Sequence, residues 1–152
     1  VFDLRLCLER HAIQRLAERY TPEAQRALKQ QVDVLCEAAV GNDGTRRIEE
    51  DLQFHRLMLH YAGNERLLRA FDDLTHELRL CITLITKTHE APDTIATSHF
   101  KLLDALDSGS PAACREAIDY HIGVARHFVV KGVGETGDSS DEDSADEDVL
   151  PR

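Results

Sequence analysis

Apolar residues recur every three or four positions through almost all of residues 1–131. This matches the period of about 3.6 of a helix that buries one face and not the alternation of a strand. The breaks in the pattern cut it into six pieces. The first, about Asp3 to Tyr20, carries a stripe of Leu6, Ile13, Leu16, Ala17 and Tyr20. Thr21-Pro22-Glu23 then offers an N-cap hydroxyl, a proline at the first helical position and a first-turn acid, which start a second helix to about Val40. Gly41-Asn42-Asp43-Gly44 reads as a turn, and a third helix follows from about Thr45 to Ala62. Gly63 suits the residue past a helix end and Asn64 suits the cap of a fourth helix, to about Thr88. The segment from Leu78 to Ile85 is apolar on most sides, which marks that helix as the central one. Pro92 breaks the pattern, and Asp93 or Thr94 is placed to cap a fifth helix through Asp107. Gly109-Ser110-Pro111 repeats the stop-and-restart device before a sixth helix to about Lys131. The expected fold is all-α, an antiparallel bundle of about six helices.

Charge separates this helical body from the C-terminal segment. From Glu135 onward eight acids face Arg152 alone, so most of the net charge of -10 lies in the last eighteen residues. The expectation is a helical domain over residues 1–131 and an acidic tail, 132–152, with too few apolar residues to fold. The body carries no basic excess of the kind that holds phosphates, which argues against direct nucleic-acid binding. No apolar run reaches membrane-spanning length and no signal peptide opens the chain. Cys7, Cys36, Cys81 and Cys114 are widely spaced within apolar-periodic stretches, as expected of small buried hydrophobes in a reducing cytoplasm. Phosphate-binding glycine loops and nucleophile-elbow motifs are absent. The chain begins at Val1, directly in a helical pattern, as a piece of a longer protein would.

Asp51 and His55 are four residues apart, so both leave one face of the third helix. His55 shares its row with Ile48, Leu52 and Leu59. His99 precedes Leu102, Leu103 and Leu106 on the fifth helix, and His121 lies in line with Ala117, Ile118 and Ala125 on the sixth. Three imidazoles aimed at one core are costly to bury without a common partner. With a carboxylate they make the ligand set of a divalent transition metal, Zn²⁺, Ni²⁺ or Mn²⁺. His11, His60, His76, His89 and His127 are not part of this set. Two other readings remain at this point. An ion with an open position could activate water for hydrolysis, with Glu50 or Glu9 as base. Alternatively, the chain could be a metal-free helical interaction module.

Several motifs, taken in order, resemble a known family. Leu4-Arg5-Leu6-Cys7-Leu8-Glu9, followed by Ala12 and Leu16-Ala17, resembles the first helix of the FCD domain, the C-terminal effector domain of FadR-type regulators in the GntR superfamily. Asp51-Leu52-Gln53-Phe54-His55 is similar to its D-x-x-F-H motif, and Ala62-Gly63-Asn64 to the small-Gly-Asn step after it. Ser98-His99 through Leu106 resembles the segment that usually opens Glu-His, with Ser98 in place of the acid. Ala117 to His121 resembles the closing A-x-x-x-H. The likeness spans residues 1–130.

The resemblance implies a non-enzymatic, cytoplasmic regulator domain that binds a small organic acid in a central cavity beside a metal. The implied ligands are Asp51, His55, His99 and His121. Arg5, and in second place Arg79, are the implied contacts of the effector carboxylate. It also implies a homodimer, with DNA contacted only through a winged helix-turn-helix preceding Val1.

Overall fold

The computed structural model describes residues 1–41, 43–87 and 92–137, of which 84–87, 92–95 and 132–137 by backbone alone. Six helices and no strand occur among the described residues: α1 (Phe2–Ala17), α2 (Pro22–Val40), α3 (Gly44–Tyr61), α4 (Glu65–Lys87), α5 (Pro92–Asp107) and α6 (Pro111–Gly137). The all-α bundle expected from the apolar period is therefore the architecture observed.

The helix starts follow from their caps. Thr21 Oγ1 accepts from the Ala24 amide at 3.2 Å, and Pro22 occupies the first turn. Asp43 does the same for the Arg46 amide at 3.0 Å, so α3 starts at Gly44 rather than Thr45. Asn64 Oδ1 accepts from the Arg66 and Leu67 amides at 3.1 and 3.3 Å. α5 already begins at Pro92, so Asp93 and Thr94 lie inside it and not at its start. Replacing Thr21 by alanine leaves an amide without its acceptor and is expected to cost about 1 kcal/mol in chemical denaturation.

Gly63 is required where it stands. Its φ is 69°, and a Cβ there would meet the Arg19 guanidinium at 2.5 Å. The same corner is tied down by Arg15 Nε, which donates to the Ala62 carbonyl at 2.8 Å. Gly63→Ala should lower stability by about 1–2 kcal/mol, the cost of a left-handed alanine, with Arg19 displaced. A urea midpoint unchanged from wild type would contradict that.

The core is continuous through the bundle, with Leu16, Leu28, Phe54, Leu59, Phe71 and Leu102 among its fully buried members. α1 packs against α3, α4, α5 and α6, while α2 lies between α3 and α5. α4 is therefore not the central helix. It buries Leu74, Leu78 and Ile82 on one side and leaves Leu80 61% exposed on the other. An apolar run in the sequence does not tell one buried face from burial all round. α6 continues to Gly137, six residues past the expected end at Lys131, while residues 138–152 lie outside the described part. Among the cysteines, Cys114 is buried and Cys7 is exposed, so the expectation of four buried thiols is corrected.

Candidate metal and effector site

Four helices each send polar side chains into one buried region of the core. α1 contributes Arg5 and Glu9, α3 contributes Asp51 and His55, α5 contributes Ser98 and His99, and α6 contributes His121. All seven are buried. The four described histidines outside the set, His11, His60, His76 and His127, are exposed, and His89 lies outside the described residues. The i,i+4 spacing of Asp51 and His55 places both on the inner face of α3. Phe54, fully buried between them, meets the His55 and His99 rings edge-on at centroid distances of 5.4 and 4.7 Å.

Asp51, His55, His99 and His121 each offer a ligand atom, and these atoms lie within 4.8 Å of one another. His55 Nε2 is 3.1 Å from His121 Nε2, and His99 Nε2 is 3.3 Å from Asp51 Oδ1. A transition metal sits about 2.0–2.2 Å from each ligand, so its donors stand at most roughly 4.4 Å apart. The observed set needs to close by only a few tenths of an ångström. Its chemistry, one carboxylate and three imidazoles withdrawn from water, fits a divalent ion such as Zn²⁺, Ni²⁺ or Mn²⁺.

A second layer of polar groups stands behind the ligands. Glu9 reaches Arg5 Nε with Oε1 at 2.6 Å and His55 Nδ1 with Oε2, also at 2.6 Å, the latter contact bent off the ideal hydrogen-bond line. Ser98 Oγ lies 2.7 Å from His121 Nδ1. The serine at the position where the resemblance calls for an acid therefore still partners a ligand histidine, through a hydroxyl. Arg5 Nη2 is buried and has no hydrogen-bond partner, an unmet donor beside Asp51.

The electrostatics follow from burial and proximity. Burial pushes the Asp51 carboxyl up, but His99, His55 and Arg5 together overcome it and hold it well below the usual range. Glu9 is likewise raised by burial and lowered further by Arg5 and His55, for a net downward shift. Burial lowers both His55 and His121, which favours the neutral imidazoles that a metal requires.

Not every residue singled out from the sequence arrives here. Arg79 does not join the cluster. Its guanidinium pairs with Glu49 at 2.7 and 2.9 Å on the exposed side of α3 and α4, where it lines an open cleft of about 590 Å³ with Gly44, Thr45 and Thr83. Glu50 is turned toward α2, accepting from Gln31 Nε2 at 2.7 Å. Glu9, which the sequence offered only as a base for hydrolysis, lies here against Arg5 and His55, a placement the apolar stripe of α1 did not suggest. The signal was present, because Arg5, Glu9, Ala12 and Leu16 are spaced as one helical face.

The model of the family described as the FCD domain matches residues 1–124. The chain belongs to the FCD domain family. It is similar to the "Probable D-xylose utilization operon transcriptional repressor" of Paenarthrobacter nicotinovorans, with 29% identity over 119 residues, which are 78% of this chain and 52% of the relative. Among solved structures it is similar to Streptococcus agalactiae GntR, with a TM-score of 0.66 and 26% identity, covering 83% of this chain and 56% of that one. The chain thus spans about half the length of these relatives. The curated relative is by its name a transcriptional repressor, and the solved structure is of a GntR protein. No helix among the described residues is long and apolar enough to cross a membrane.

Proposed function

We propose that this FCD domain senses a small organic acid for a GntR-type transcriptional regulator, with a divalent metal held by Asp51, His55, His99 and His121 as part of the binding site. The observation that carries this reading is the unpartnered Nη2 of buried Arg5 beside a four-ligand cluster. An arginine nitrogen without an acceptor in a dry core is costly, and a carboxylate supplies the missing acceptor with charge and geometry matched. The charge balance points the same way. Arg5 and Glu9 cancel, leaving Asp51 as the net charge of the cluster. A divalent ion would overcompensate by one unit, and one carboxylate would restore neutrality.

When bound, the metal would supply Lewis acidity and a fixed positive charge for the acid. The chain's own residues orient it: Arg5 from α1, Phe54 as an apolar wall, and the histidines from three helices. Arg79 remains a contact only for a ligand that reaches the α3–α4 cleft. Because the site joins α1, α3, α5 and α6, a ligand there favours one arrangement of the bundle. In a homodimer that arrangement would set the spacing of two attached DNA-binding domains, provided the ligand binds one global state more tightly.

The test is a panel of small mono- and dicarboxylates against the metal-loaded domain, read by calorimetry and thermal shift. An acid that binds the wild type and loses at least tenfold in affinity in Arg5→Lys supports the reading. An acid that binds both proteins equally removes Arg5 from the site, and a panel with no binder removes the organic-acid assignment.

A further inference from the structure

We infer that Glu9 is a positioning residue for the metal site, holding the His55 imidazole by Nδ1 so that Nε2 is the nitrogen presented to the ion. This rests on the metal reading above and assigns a role to a residue that ligates nothing. Three observations carry it. Glu9 Oε2 lies 2.6 Å from His55 Nδ1, off the direction of the ring N–H, while His55 Nε2 faces His121 Nε2 at 3.1 Å and Asp51 Oδ2 at 4.0 Å, so the ring meets a carboxylate at one end and the candidate ligands at the other. Glu9 and His55 are both 0% exposed, so bulk solvent does not reach that contact. Arg5 takes the other Glu9 oxygen at 2.6 Å, which fixes the direction of the carboxylate and keeps it ionised in the core.

An ionised carboxylate only accepts, so it stabilises one histidine tautomer, the one with its proton on Nδ1 and a free lone pair on Nε2. Ser98 against His121 Nδ1 is different. Its hydroxyl lies 2.7 Å from that nitrogen and, unlike a carboxylate, has the chemistry to act there as donor or as acceptor. Partners of this kind, behind metal-ligating histidines, typically change metal affinity ten- to a hundredfold when removed.

Removing Glu9 alone would strand Arg5, so the variants are paired. Arg5→Met/Glu9→Leu removes both charge and acceptor, while Arg5→Met/Glu9→Gln returns a neutral acceptor to His55. Zn²⁺ affinity is measured by competition with a chromophoric chelator, on proteins checked for helical content. The His55 tautomer is read from long-range ¹⁵N–¹H correlation spectra of histidine-labelled, metal-free protein. We expect Nδ1-protonated His55 in the wild type, Zn²⁺ binding weakened ten- to a hundredfold in the leucine variant, and most of that loss recovered in the glutamine variant. A metal-free wild type with the His55 proton on Nε2 overturns the inference without any variant. So does a leucine variant that binds Zn²⁺ as tightly as wild type. If the wild type itself takes up no Zn²⁺, the metal reading fails instead, and the assignment to Glu9 fails with it.

Discussion

Replacing His99 and His121 together by alanine is expected to reduce bound divalent metal from about one equivalent per chain to none, by mass spectrometry of untagged protein. The two rings stand 4.4 Å apart at their centroids and would supply two of the four proposed ligands. The remaining Asp51 and His55 form only a bidentate face on α3, too few ligands to hold an ion against water. The loss should also appear in stability. A ligand present at a thousand times its dissociation constant stabilises the folded state by about 4 kcal/mol. For a domain of this size that corresponds to a metal-dependent rise in Tm on the order of 10 °C in the wild type, and the double variant should lack it. A wild type without metal, even after incubation with Zn²⁺, Ni²⁺ and Mn²⁺, would remove the site. A double variant with full metal content would move it elsewhere.

Arg5→Ala should be the most damaging single change to the metal-free protein. Arg5 is 1% exposed and Glu9 0%, and their ion pair sits beside Asp51. Without the guanidinium, the Glu9 and Asp51 carboxylates share a buried region that has lost its arginine. Breaking one partner of such a buried pair costs about 3–5 kcal/mol, most of it the stranded charge and not the lost attraction. A domain stable by about 5–15 kcal/mol is left marginal by that loss. The paired Arg5→Met/Glu9→Leu replacement strands nothing and should cost much less. Urea denaturation of the two variants side by side makes the comparison. If Arg5→Ala lost under 1 kcal/mol, or the paired variant lost as much as the single one, the buried-pair account would fail.

Arg5 also marks a limit of what the sequence reveals. A charged residue near a helix end is ordinarily solvated, and the apolar stripe of α1 can be drawn through Leu6, Ile13 and Leu16 without it. The face that is buried runs instead through Arg5, Glu9, Ala12, Ile13 and Leu16. Charge at i and i+4 can mean either a solvated surface pair or an internal one, and only the surrounding helices distinguish them. The same ambiguity affected Arg79, equally an arginine on an apolar-rich helix, which the fold leaves paired with Glu49 at the surface.

Local chemistry was sufficient for the helices themselves. Thr21-Pro22, Asn64 and Ser110-Pro111 mark starts that the structure keeps, because a cap is a contact among residues two to four apart. The pairing of Asp51 with His55 was equally local, set by the pitch of one helix. Three features depended on the tertiary structure: the convergence of His99 and His121 on that pair, the placement of Glu9 and Ser98 behind two of the ligand rings, and the unpartnered nitrogen of Arg5. Each depends on how α1, α5 and α6 rotate and cross against α3. Those angles are set by side-chain packing over the whole core, and no short-range pattern in the chain encodes them.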